Sequence, residues 1–457
     1  MQRPSMMAAG WVSRADKAAR DSIGESSMTE DRSRHTQVGN HALHPETLML
    51  GFGYDPARSE GAVKPPIFLT STFVFQSAEE GRDFFDVAAG RKPAPPGGAG
   101  LVYSRFNHPN AEIAEDRLAI YEGCERALVF ASGMGAISTT VLAYCRPGDA
   151  ILHSQPLYGG TETLFARTMA AWSVHAEGFT HGLDAGSIEA AADRAAAKGR
   201  VGLIFVETPS NPMNSLVDFQ LIGAARDRIA QAQGQPPLIV CDNTMLGPIF
   251  QAPLRHGVDI VVYSLTKYIG GHSDLVAGAA LGSREALRPV QAMRGAIGTQ
   301  LDPHSSWMIG RSLETLSLRM RAAAGNAEIV AGFLAQHARI ARVFSLGGHG
   351  PDAAANAVYA RQCTGAGSTF SVTLRGGQSE AFRVLNALRV FKLAVSLGGT
   401  ESLASHPAST THSGVPAEVR AAAGVTDGLI RLSIGIEHPD DLVADLAQAL
   451  AMLESPP

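Results

Sequence analysis

The fold of this 457-residue chain follows from the stretch DIVVYSLTKYIGGHSDLVAG, residues 259–278. It begins with an apolar, β-branched run of the length expected of a buried strand. The run ends in YSLTK, so Lys267 stands just past the strand, near the hydroxyls of Ser264 and Thr266, and glycines follow. Open α/β sheets bind ligands at this end of their strands, and lysine forms Schiff bases with carbonyl compounds once its pKa is lowered. Taken alone, the stretch favours a surface lysine after a strand over a reactive lysine, and the other motifs of the chain decide between the two.

The composition is that of an ordinary globular enzyme. Of all residues, 45% are hydrophobic and 18% are charged, and the formal net charge is −5 at pH 7. This charge, without a long basic run, argues against nucleic acid as a main partner. No apolar stretch approaches the roughly 20 residues of a membrane span. The four cysteines show no CxxC spacing, so we expect buried free thiols in a reducing compartment and no metal site.

The first 42 residues differ in composition from the rest of the chain. They are polar and mixed in charge, and they contain no apolar core like that of a secretory signal. Met28 is an alternative start. We predict that residues 1–42 form a disordered extension, because they offer little apolar area to offset the entropic cost of ordering them.

Strand and helix patterns alternate from residue 108 to about residue 263. The predicted strands are 127–131, 150–153, 173–175, 201–207, 238–242 and 260–263. Three helices are predicted at 110–121, 187–198 and 219–231, and two more begin at 132 and near 158. Repeated strand–helix units predict an α/β fold, in which helices cover both faces of a mostly parallel sheet.

A glycine turn follows the first of these strands. Residues 132–137 read SGMGAI, and a strand, a glycine turn and a helix start together present free backbone N–H groups to a phosphate. A dinucleotide fold would have a third glycine where Ser138 stands. The turn therefore favours a single phosphate over a nicotinamide dinucleotide.

Three of the predicted strands end in side chains that carry charge. Glu207, Asp242 and Lys267 would meet at one edge of a parallel sheet. A carboxylate is costly in a dry crevice unless it meets a cation or a hydrogen-bond donor. The three residues together therefore predict a polar site at this edge.

The pattern changes beyond residue 298. Residues 307–338 predict one long helix or two, and the segments after it mix strands at 368–374, 392–396 and 429–436 with helices at 380–388 and 439–453. We therefore predict a smaller α+β domain at 316–457, after an α/β domain at 108–315. Residues 43–107 are expected to be an extended, proline-punctuated segment with a flexible loop at 91–100.

These motifs and their order resemble the pyridoxal-phosphate enzymes of cysteine and methionine metabolism. That family contains cystathionine γ-synthase, the cystathionine and methionine γ-lyases and the O-acylhomoserine sulfhydrylases. The similarity runs from about residue 51 to residue 453, and the run around Lys267 is close to the family's cofactor-attachment signature. The resemblance implies the fold-type I architecture and pyridoxal 5'-phosphate as cofactor.

The resemblance also implies how the cofactor would be bound. Lys267 would hold it through a Schiff base and move protons between substrate carbons, Asp242 in CDNT would bind the protonated pyridine nitrogen, and Tyr158 in LYGGT would stack on the ring. The phosphate would be held by backbone N–H and hydroxyl groups of Gly133, Met134, Ser264 and Thr266.

Two further residues suggest a shared active site. Tyr103 and Arg105 resemble the pair that reaches the phosphate of a neighbouring subunit, with an ordinary exposed pair as the alternative. If they do so, residues 43–107 contact a partner subunit. The chain would then be at least a dimer and, by the resemblance, a homotetramer.

The substrate carboxylate has a candidate partner in Arg431, in LIRLSIGIE, which matches the family's carboxylate-binding arginine. Asn211 in ETPSNP and Ser396 in VSLGG match its helpers. A structural salt bridge is the alternative for Arg431. For Glu207, a direct role and an orienting role both remain open.

The exact reaction depends on a few positions. Val395 stands where the cystathionine enzymes usually carry a glutamate, and an apolar residue there suits the thioether of methionine. The segments GFGYDP and SHPASTTH also look more like methionine γ-lyase. However, Gly160 stands where those lyases usually have a cysteine, and Arg294–Gly295 replaces the Lys–Asp that they carry in the corresponding loop.

We therefore expect an enzyme that performs γ-elimination on a sulfur amino acid, like methionine γ-lyase. The first alternative is γ-replacement on O-acylhomoserine, and the second is a non-catalytic paralogue of the fold. The substrate would be a small amino acid, with no nucleic-acid or membrane partner. The reducing compartment expected from the cysteines would be the cytoplasm.

Overall fold

The structure is a computed structural model that describes residues 32–93, 95, 100–347, 353–415 and 417–453. Most of the predicted N-terminal extension, residues 1–31, and five positions of the predicted 91–100 loop lie outside the described residues. Residues 32–42 were expected to be disordered, and this boundary is wrong. They form a 3-10 turn, Arg32–Arg34, and a two-stranded hairpin, because Arg34 pairs with Asp116 of the α/β domain at 2.6 Å.

The strands of the described chain are mostly five residues long. In chain order they are β1 (Gln37–Val38), β2 (His41–Ala42), β3 (Arg126–Phe130), β4 (Ala150–Ser154), β5 (His175–Phe179), β6 (Val201–Glu207), β7 (Leu238–Asp242), β8 (Ile260–Ser264), β9 (Gly278–Gly282), β10 (Ile340–Phe344), β11 (Thr369–Leu374), β12 (Lys392–Leu393), β13 (Leu403–Ser405) and β14 (Leu429–Ser433).

The α-helices vary from a single turn to about six turns. In chain order they are α1 (Pro45–Leu48), α2 (Ala78–Ala88), α3 (Pro109–Glu122), α4 (Gly133–Tyr144), α5 (Gly159–Thr163), α6 (Ala185–Lys198), α7 (Phe219–Gln233), α8 (Gly247–Phe250), α9 (Arg284–Ile297), α10 (Pro303–Leu313), α11 (Leu316–Gln336), α12 (Ala353–Gln362), α13 (Gln378–Ala387), α14 (Ala417–Ala422) and α15 (Pro439–Ala451). Helix α5 continues as a π-helix, Leu164–Met169.

Within the described residues, seven strands form the larger sheet in the order β3-β9-β8-β7-β6-β4-β5. Strand β9 is antiparallel to both of its neighbours, and the other pairs are parallel. The predicted mostly parallel sheet is therefore confirmed. The sequence did not predict β9, because its residues, GAALG, lack the β-branched and aromatic side chains typical of strands. Position 278 requires a glycine, because a Cβ there would lie 2.2 Å from the carbonyl oxygen of Ser132.

Both faces of this sheet are buried under helices, as the sequence predicted. Along β6, Leu203 and Phe205 point into one apolar cluster, while Ile204 and Val206 point into another. Helices α4 and α9 cover the first cluster, and α3, α6 and α7 cover the second. The strands are consequently fixed in register, and their carboxyl ends form one continuous edge.

The smaller domain contains a second sheet, in which the described residues contribute five strands in the order β10-β11-β14-β13-β12. Helices α11, α13 and α15 pack on it around a core of its own. Residues 307–338 contain two helices, since the chain breaks at Glu314 and Thr315 between α10 and α11. The predicted strand 392–396 is shorter than expected, because the carbonyls of Val395 and Ser396 accept hydrogen bonds from Arg431.

The segment before the α/β domain is extended around its prolines at 65–66, as predicted, but it also contains helices α1 and α2. It carries apolar side chains on its surface. Val63, Leu69 and Val74 are each more than 70% exposed in the single chain. Among the described residues, no helix has the length and apolar character needed to cross a membrane.

Candidate active site

A cavity of about 340 Å³ lies at the carboxyl edge of the larger sheet and is closed by residues of the smaller domain. The edge brings together Glu207, Asp242 and Lys267, as the strand ends predicted. Among the predicted site residues, the cavity is lined by Gly133, Met134, Tyr158, Asn211, Asp242, Ser264, Thr266, Lys267, Val395, Ser396 and Arg431.

Lys267 follows β8 and is held by contacts from both domains. Its backbone N–H donates to the carbonyl of Ser264 at 3.1 Å, and its amine donates to the hydroxyl of Ser396 at 3.1 Å. Burial, and secondarily the positive charge of Arg431, lowers the pKa of the Lys267 amine below its ordinary value. The amine is therefore more readily available as a neutral nucleophile than a surface lysine would be.

Asp242 and Glu207 end neighbouring strands and are paired directly in register. The Thr244 N–H donates to Asp242 Oδ1 at 3.0 Å. Burial raises the pKa of Asp242, and burial together with the charge of Asp242 raises the pKa of Glu207 to about 8. Among the described residues, neither carboxylate forms a salt bridge. A cation placed beside Asp242 would stabilise its charged form, and a protonated pyridine nitrogen fits this requirement.

The turn between β3 and α4 forms a close backbone cradle. Ser132 caps the helix, with its hydroxyl accepting from the Gly135 N–H at 2.9 Å. A Cβ at Gly133 would lie 2.9 Å from the Cβ of Ser264, so glycine lets the helix start pack onto the end of β8. First-turn N–H groups and the adjacent hydroxyl of Ser264 fit a phosphate. The Thr266 hydroxyl is already engaged, since it accepts from the Ala277 N–H at 3.0 Å.

Tyr158 precedes α5 and presents its ring to the cavity, with the residue 44% exposed. A Cβ at Gly160 would lie 2.6 Å from Cε1 of the Tyr158 ring and 3.3 Å from the sulfur of Met134. The ring therefore occupies the space that a side chain at position 160 would need. An aromatic face in this position can stack on a planar ring, which is the arrangement that the sequence predicted for it.

Arg431 lies on β14 and is almost completely buried, with 2% exposure. Its Nη1 donates to Asn211 Oδ1 at 3.2 Å, and its Nη2 donates to the carbonyls of Val395 and Ser396 at 2.7 and 2.8 Å. Burial lowers the pKa of Arg431 to about 10, so the group remains positive at neutral pH. Its Nε has no hydrogen-bond partner among the described residues. Because Arg431 lines the cavity, its positive guanidinium fits the carboxylate of a substrate.

Tyr103 and Arg105 lie outside the cavity lining of their own chain. Arg105 donates to the carbonyl of Gly295, and its guanidinium lies 4.4 Å from the centre of the Phe106 ring. Tyr103 is 40% exposed beside it. Their role at the phosphate of a second subunit stays a prediction.

Arg294 and Gly295, which replace the Lys–Asp of the methionine γ-lyases, both lie inside α9. Arg294 is buried and forms an ion pair with Glu115 at 2.7 Å. It also donates to the Val129 carbonyl at 2.9 Å. This arginine therefore acts as a structural ion pair within the α/β domain, outside the lining of the cavity.

Sequence reasoning missed two threonines that line the cavity. Thr244 donates its N–H to Asp242, and its hydroxyl accepts from the Ser264 N–H at 2.9 Å. Thr411 comes from the smaller domain, and its hydroxyl lies 2.9 Å from Nδ1 of His412. Each lies in a motif already singled out, CDNT and SHPASTTH, but a threonine side chain carries no charge that would have marked it.

The family described as Cys/Met metabolism PLP-dependent enzyme matches residues 46–451. L-Methionine γ-lyase of Pseudomonas putida is 38% identical over 409 residues, which cover 88% of this chain and 96% of that protein. O-Succinylhomoserine sulfhydrylase of Pseudomonas aeruginosa is 36% identical, covering 86% and 92%. A structure of cystathionine γ-synthase from Xanthomonas oryzae pv. oryzae, in complex with aminoacrylate and cysteine, matches with a TM-score of 0.79, at 34% identity over 90% of this chain and 99% of that chain.

Proposed function

Because the chain belongs to the pyridoxal-phosphate-dependent enzymes of cysteine and methionine metabolism, we propose that it catalyses γ-elimination on a sulfur amino acid. The reaction would be like that of methionine γ-lyase, giving 2-oxobutanoate, ammonia and a thiol. When bound, pyridoxal phosphate supplies an electron sink that stabilises negative charge on the substrate carbons. The relatives named methionine γ-lyase support this choice.

Lys267 is the group that would attach the cofactor and then move protons. Its amine has a lowered pKa and donates to the Ser396 hydroxyl, so it gives up a proton more readily than an exposed lysine would. γ-Elimination removes a proton from the α-carbon and another from the β-carbon. A single mobile amine between these positions can serve both steps.

Other residues of the cavity would hold the cofactor in place. Asp242 would pair with the ring nitrogen, and Tyr158 would lie against the ring face. The helix start at Gly133 and Met134, with the hydroxyl of Ser264, would bind the phosphate. The Thr266 hydroxyl would join them by turning its proton from the Ala277 carbonyl, 3.3 Å away, to the phosphate. This assignment is supported by two observations: these residues line the cavity, and Gly133 and Met134 begin α4, where backbone N–H groups have no acceptor within the helix.

Arg431 would bind the substrate carboxylate, with Asn211 and Ser396 fixing its orientation. The guanidinium is buried and positive, and it is oriented by the Asn211 amide and by two backbone carbonyls. A carboxylate that enters the cavity is therefore met by a guanidinium whose position is already set. This arrangement would place the α-carbon of the substrate next to Lys267.

The single observation that carries the substrate assignment is the apolar wall at Val395. Val395 lines the cavity, and Val276 and Leu397 are two further apolar residues of the lining. The carboxylates of the described lining are Glu207 and Asp242, which lie together at the strand ends. A second ammonium on the substrate would find no carboxylate at Val395, whereas a thioether needs only an apolar surface.

A second candidate is γ-replacement on O-acylhomoserine. The observation in its favour is Gly160, which stands where methionine γ-lyases usually carry a cysteine and whose space is taken by the Tyr158 ring. The relative named O-succinylhomoserine sulfhydrylase also supports it. A non-catalytic paralogue is less consistent with the cavity, because Lys267, Asp242 and Arg431 are all present in it.

The proposal includes assembly and location. The exposed apolar side chains of the extended segment support a homo-oligomer, at least a dimer with shared sites and by the resemblance a tetramer. All four cysteines lie in the described residues and are free, which supports a cytoplasmic location. We propose that the two domains span residues 108–315 and 316–457, and that the segment before them extends to residue 107 and begins before residue 43, since residues 32–42 are also structured.

The test compares substrates on the purified protein. L-Methionine, L-cystathionine and O-succinylhomoserine with sulfide are each supplied, and 2-oxobutanoate and homocysteine are measured. We expect 2-oxobutanoate from methionine as the reaction with the highest kcat/KM. Homocysteine formed from O-succinylhomoserine as the fastest reaction would instead assign γ-replacement. A protein that binds no pyridoxal phosphate, seen as no visible absorbance, would be a non-catalytic paralogue.

A further inference from the structure

Glu207 makes two hydrogen bonds that connect separate loops of the cavity. Its Oε2 accepts from the Tyr158 N–H at 2.6 Å, and its Oε1 accepts from the Asn211 N–H at 2.9 Å. Its own N–H donates to the hydroxyl of Ser154 at 3.0 Å. The side chain is 4% exposed, so both of its oxygens are committed to these contacts in a buried setting.

The two N–H groups belong to loops with different tasks. Tyr158 follows β4 and carries the aromatic ring of the cavity, while Asn211 follows β6. The Asn211 side chain receives Nη1 of Arg431 at 3.2 Å. A continuous series of hydrogen bonds therefore runs from the backbone of Tyr158, through Glu207 and Asn211, to the guanidinium of Arg431.

We propose that Glu207 is a positioning residue that sets the distance between the ring-stacking side of the cavity and its carboxylate-binding side. It acts through the backbone of Tyr158 and Asn211. This inference rests on the proposed function, since it assumes that Tyr158 faces a bound ring and that Arg431 faces a bound carboxylate.

The chemistry of the two contacts requires a carboxylate. Two N–H donors need two acceptor oxygens, and a carboxyl group has a lone pair for each donor whether or not one oxygen also carries a proton. Glutamine would offer one oxygen and would turn an NH₂ group toward the other N–H. A buried N–H without an acceptor is costly, so one of the two loops would shift. Aspartate would keep both oxygens but is one methylene shorter, and it cannot reach both N–H groups at once.

Glu207 also lies beside Asp242, so an effect of its charge must be distinguished from an effect of its hydrogen bonds. Glu162 provides the matched control. It is a second acidic side chain near Glu207, and its Oε1 accepts from the Leu157 N–H at 3.1 Å. In Glu162→Gln, the remaining oxygen can keep this single hydrogen bond while the charge is lost.

The experiment measures two dissociation constants for each variant. The first is that of pyridoxal phosphate for the cofactor-free protein, followed by fluorescence quenching. The second is that of L-norleucine, an amino acid without a γ-leaving group, for the loaded enzyme, followed by the visible absorbance of the bound cofactor. Thermal melting and kcat/KM are recorded beside them. Neither constant depends on which γ-reaction the enzyme performs.

We expect Glu207→Gln to fold and to increase both dissociation constants by roughly ten- to hundredfold, the range expected when a buried N–H loses its acceptor. Glu162→Gln should leave both within about twofold of the wild type. In an Asn211→Ala background, Glu207→Gln should weaken L-norleucine binding by no more than about twofold, because the connection to Arg431 is already broken.

Three results would overturn the proposal. The first is a folded Glu207→Gln protein with both dissociation constants unchanged. The second is an equal loss of affinity in Glu162→Gln, which would assign the effect to charge. If Glu207→Gln does not fold, Glu207→Asp is measured in the same way, with the same expected loss. Failure of both variants to fold would make Glu207 a purely structural residue. A wild-type protein that binds no pyridoxal phosphate would contradict the proposed function, whatever the variants do.

Discussion

The amine of Lys267 lies 3.1 Å from the hydroxyl of Ser396, and this hydrogen bond crosses from the larger domain to the smaller one. The backbone supports the same contact. Gly398 has φ of +76°, and a Cβ there would lie 2.7 Å from the N–H nitrogen of Tyr268. The turn that carries Ser396 therefore packs closely against the residues around Lys267, and the smaller domain helps to position the reactive amine.

Lys267→Ala should abolish turnover and the visible absorbance of the lysine-bound cofactor. Among the described residues, Lys267 is the lysine that lines the cavity. The measurement is an absorbance spectrum together with an assay for 2-oxobutanoate. Lys392→Ala, which alters an exposed lysine of β12, is the control and should keep both signals. Normal activity in Lys267→Ala would refute the assignment of the site.

Much of the larger domain was predictable because its strands carry strong local signals. The predicted limits of β6 and β7 agree with the structure, since each is a short apolar run that ends at a charged residue. Strand β9 was not predictable from its five residues. Its small side chains are required by the approach of the helix start at Gly133, which is a tertiary contact.

The site was predictable where a residue type carries its own chemistry, as for Lys267, Asp242 and Arg431. Its connections were not predictable. The hydrogen bonds of Glu207 come from the backbone N–H groups of Tyr158 and Asn211. Every residue except proline has such a group, so the residue type does not show which acceptor it will meet. The sequence therefore left the direct and orienting roles of Glu207 equally open, and only the folded geometry favours the second.

Arg105 and Lys267 should complement each other between subunits. If Arg105 serves the phosphate of the partner, a hybrid of Arg105→Ala and Lys267→Ala chains contains one site with both residues intact. Denaturing and refolding an equal mixture should then restore roughly a quarter of the wild-type activity, because half of the dimers are hybrids with one complete site each.

The control for this complementation mixes Lys267→Ala with the double variant Arg105→Ala/Lys267→Ala. No hybrid of these two chains has a lysine at position 267, so no activity should return. The absence of rescue in the first mixture, when native mass spectrometry shows that hybrids have formed, would mean that each subunit completes its own site.

The stability of the cofactor-free protein should fall as pH rises, in part because of Glu207. Burial and the charge of Asp242 raise the pKa of Glu207 to about 8, whereas the ordinary value is 4.5. Between these values the folded protein keeps a proton that the unfolded chain has released. Its stabilising contribution is therefore complete below about pH 4.5 and is lost as pH rises through about 8.

Thermal melts of the cofactor-free wild type and of Glu207→Gln, from pH 5 to pH 8.5, isolate this contribution. Glu112 and Glu122 have pKa values that burial raises to about 7, but both proteins contain them, so their effect cancels in the difference. The melting temperature of the wild type relative to the variant should decline with pH by a few degrees. A constant difference would mean that Glu207 keeps its charge throughout the range.

Val395 should determine which substrate class the enzyme prefers. It lines the cavity with 57% exposure, while its backbone carbonyl is held by Arg431 at 2.7 Å, so a new side chain at this position would keep its place and direction. Cystathionine carries a second ammonium far from the reacting carbon, and a partly buried ammonium needs a carboxylate. Methionine needs only an apolar wall, so we expect the wild type to prefer methionine over cystathionine in elimination.

Val395→Glu should shift this preference toward cystathionine by about 1–3 kcal/mol in the ratio of the two kcat/KM values, the scale of a charge-assisted hydrogen bond. Val395→Gln is the matched control, because it has the same size and polarity without the charge, and it should shift the ratio much less. If both variants shift it equally, polarity and not charge is responsible. If the unmodified enzyme already prefers cystathionine, Val395 does not select the substrate. Cystathionine would then be the better candidate substrate, because the second ammonium must be recognised by a group elsewhere in the cavity or on a second subunit.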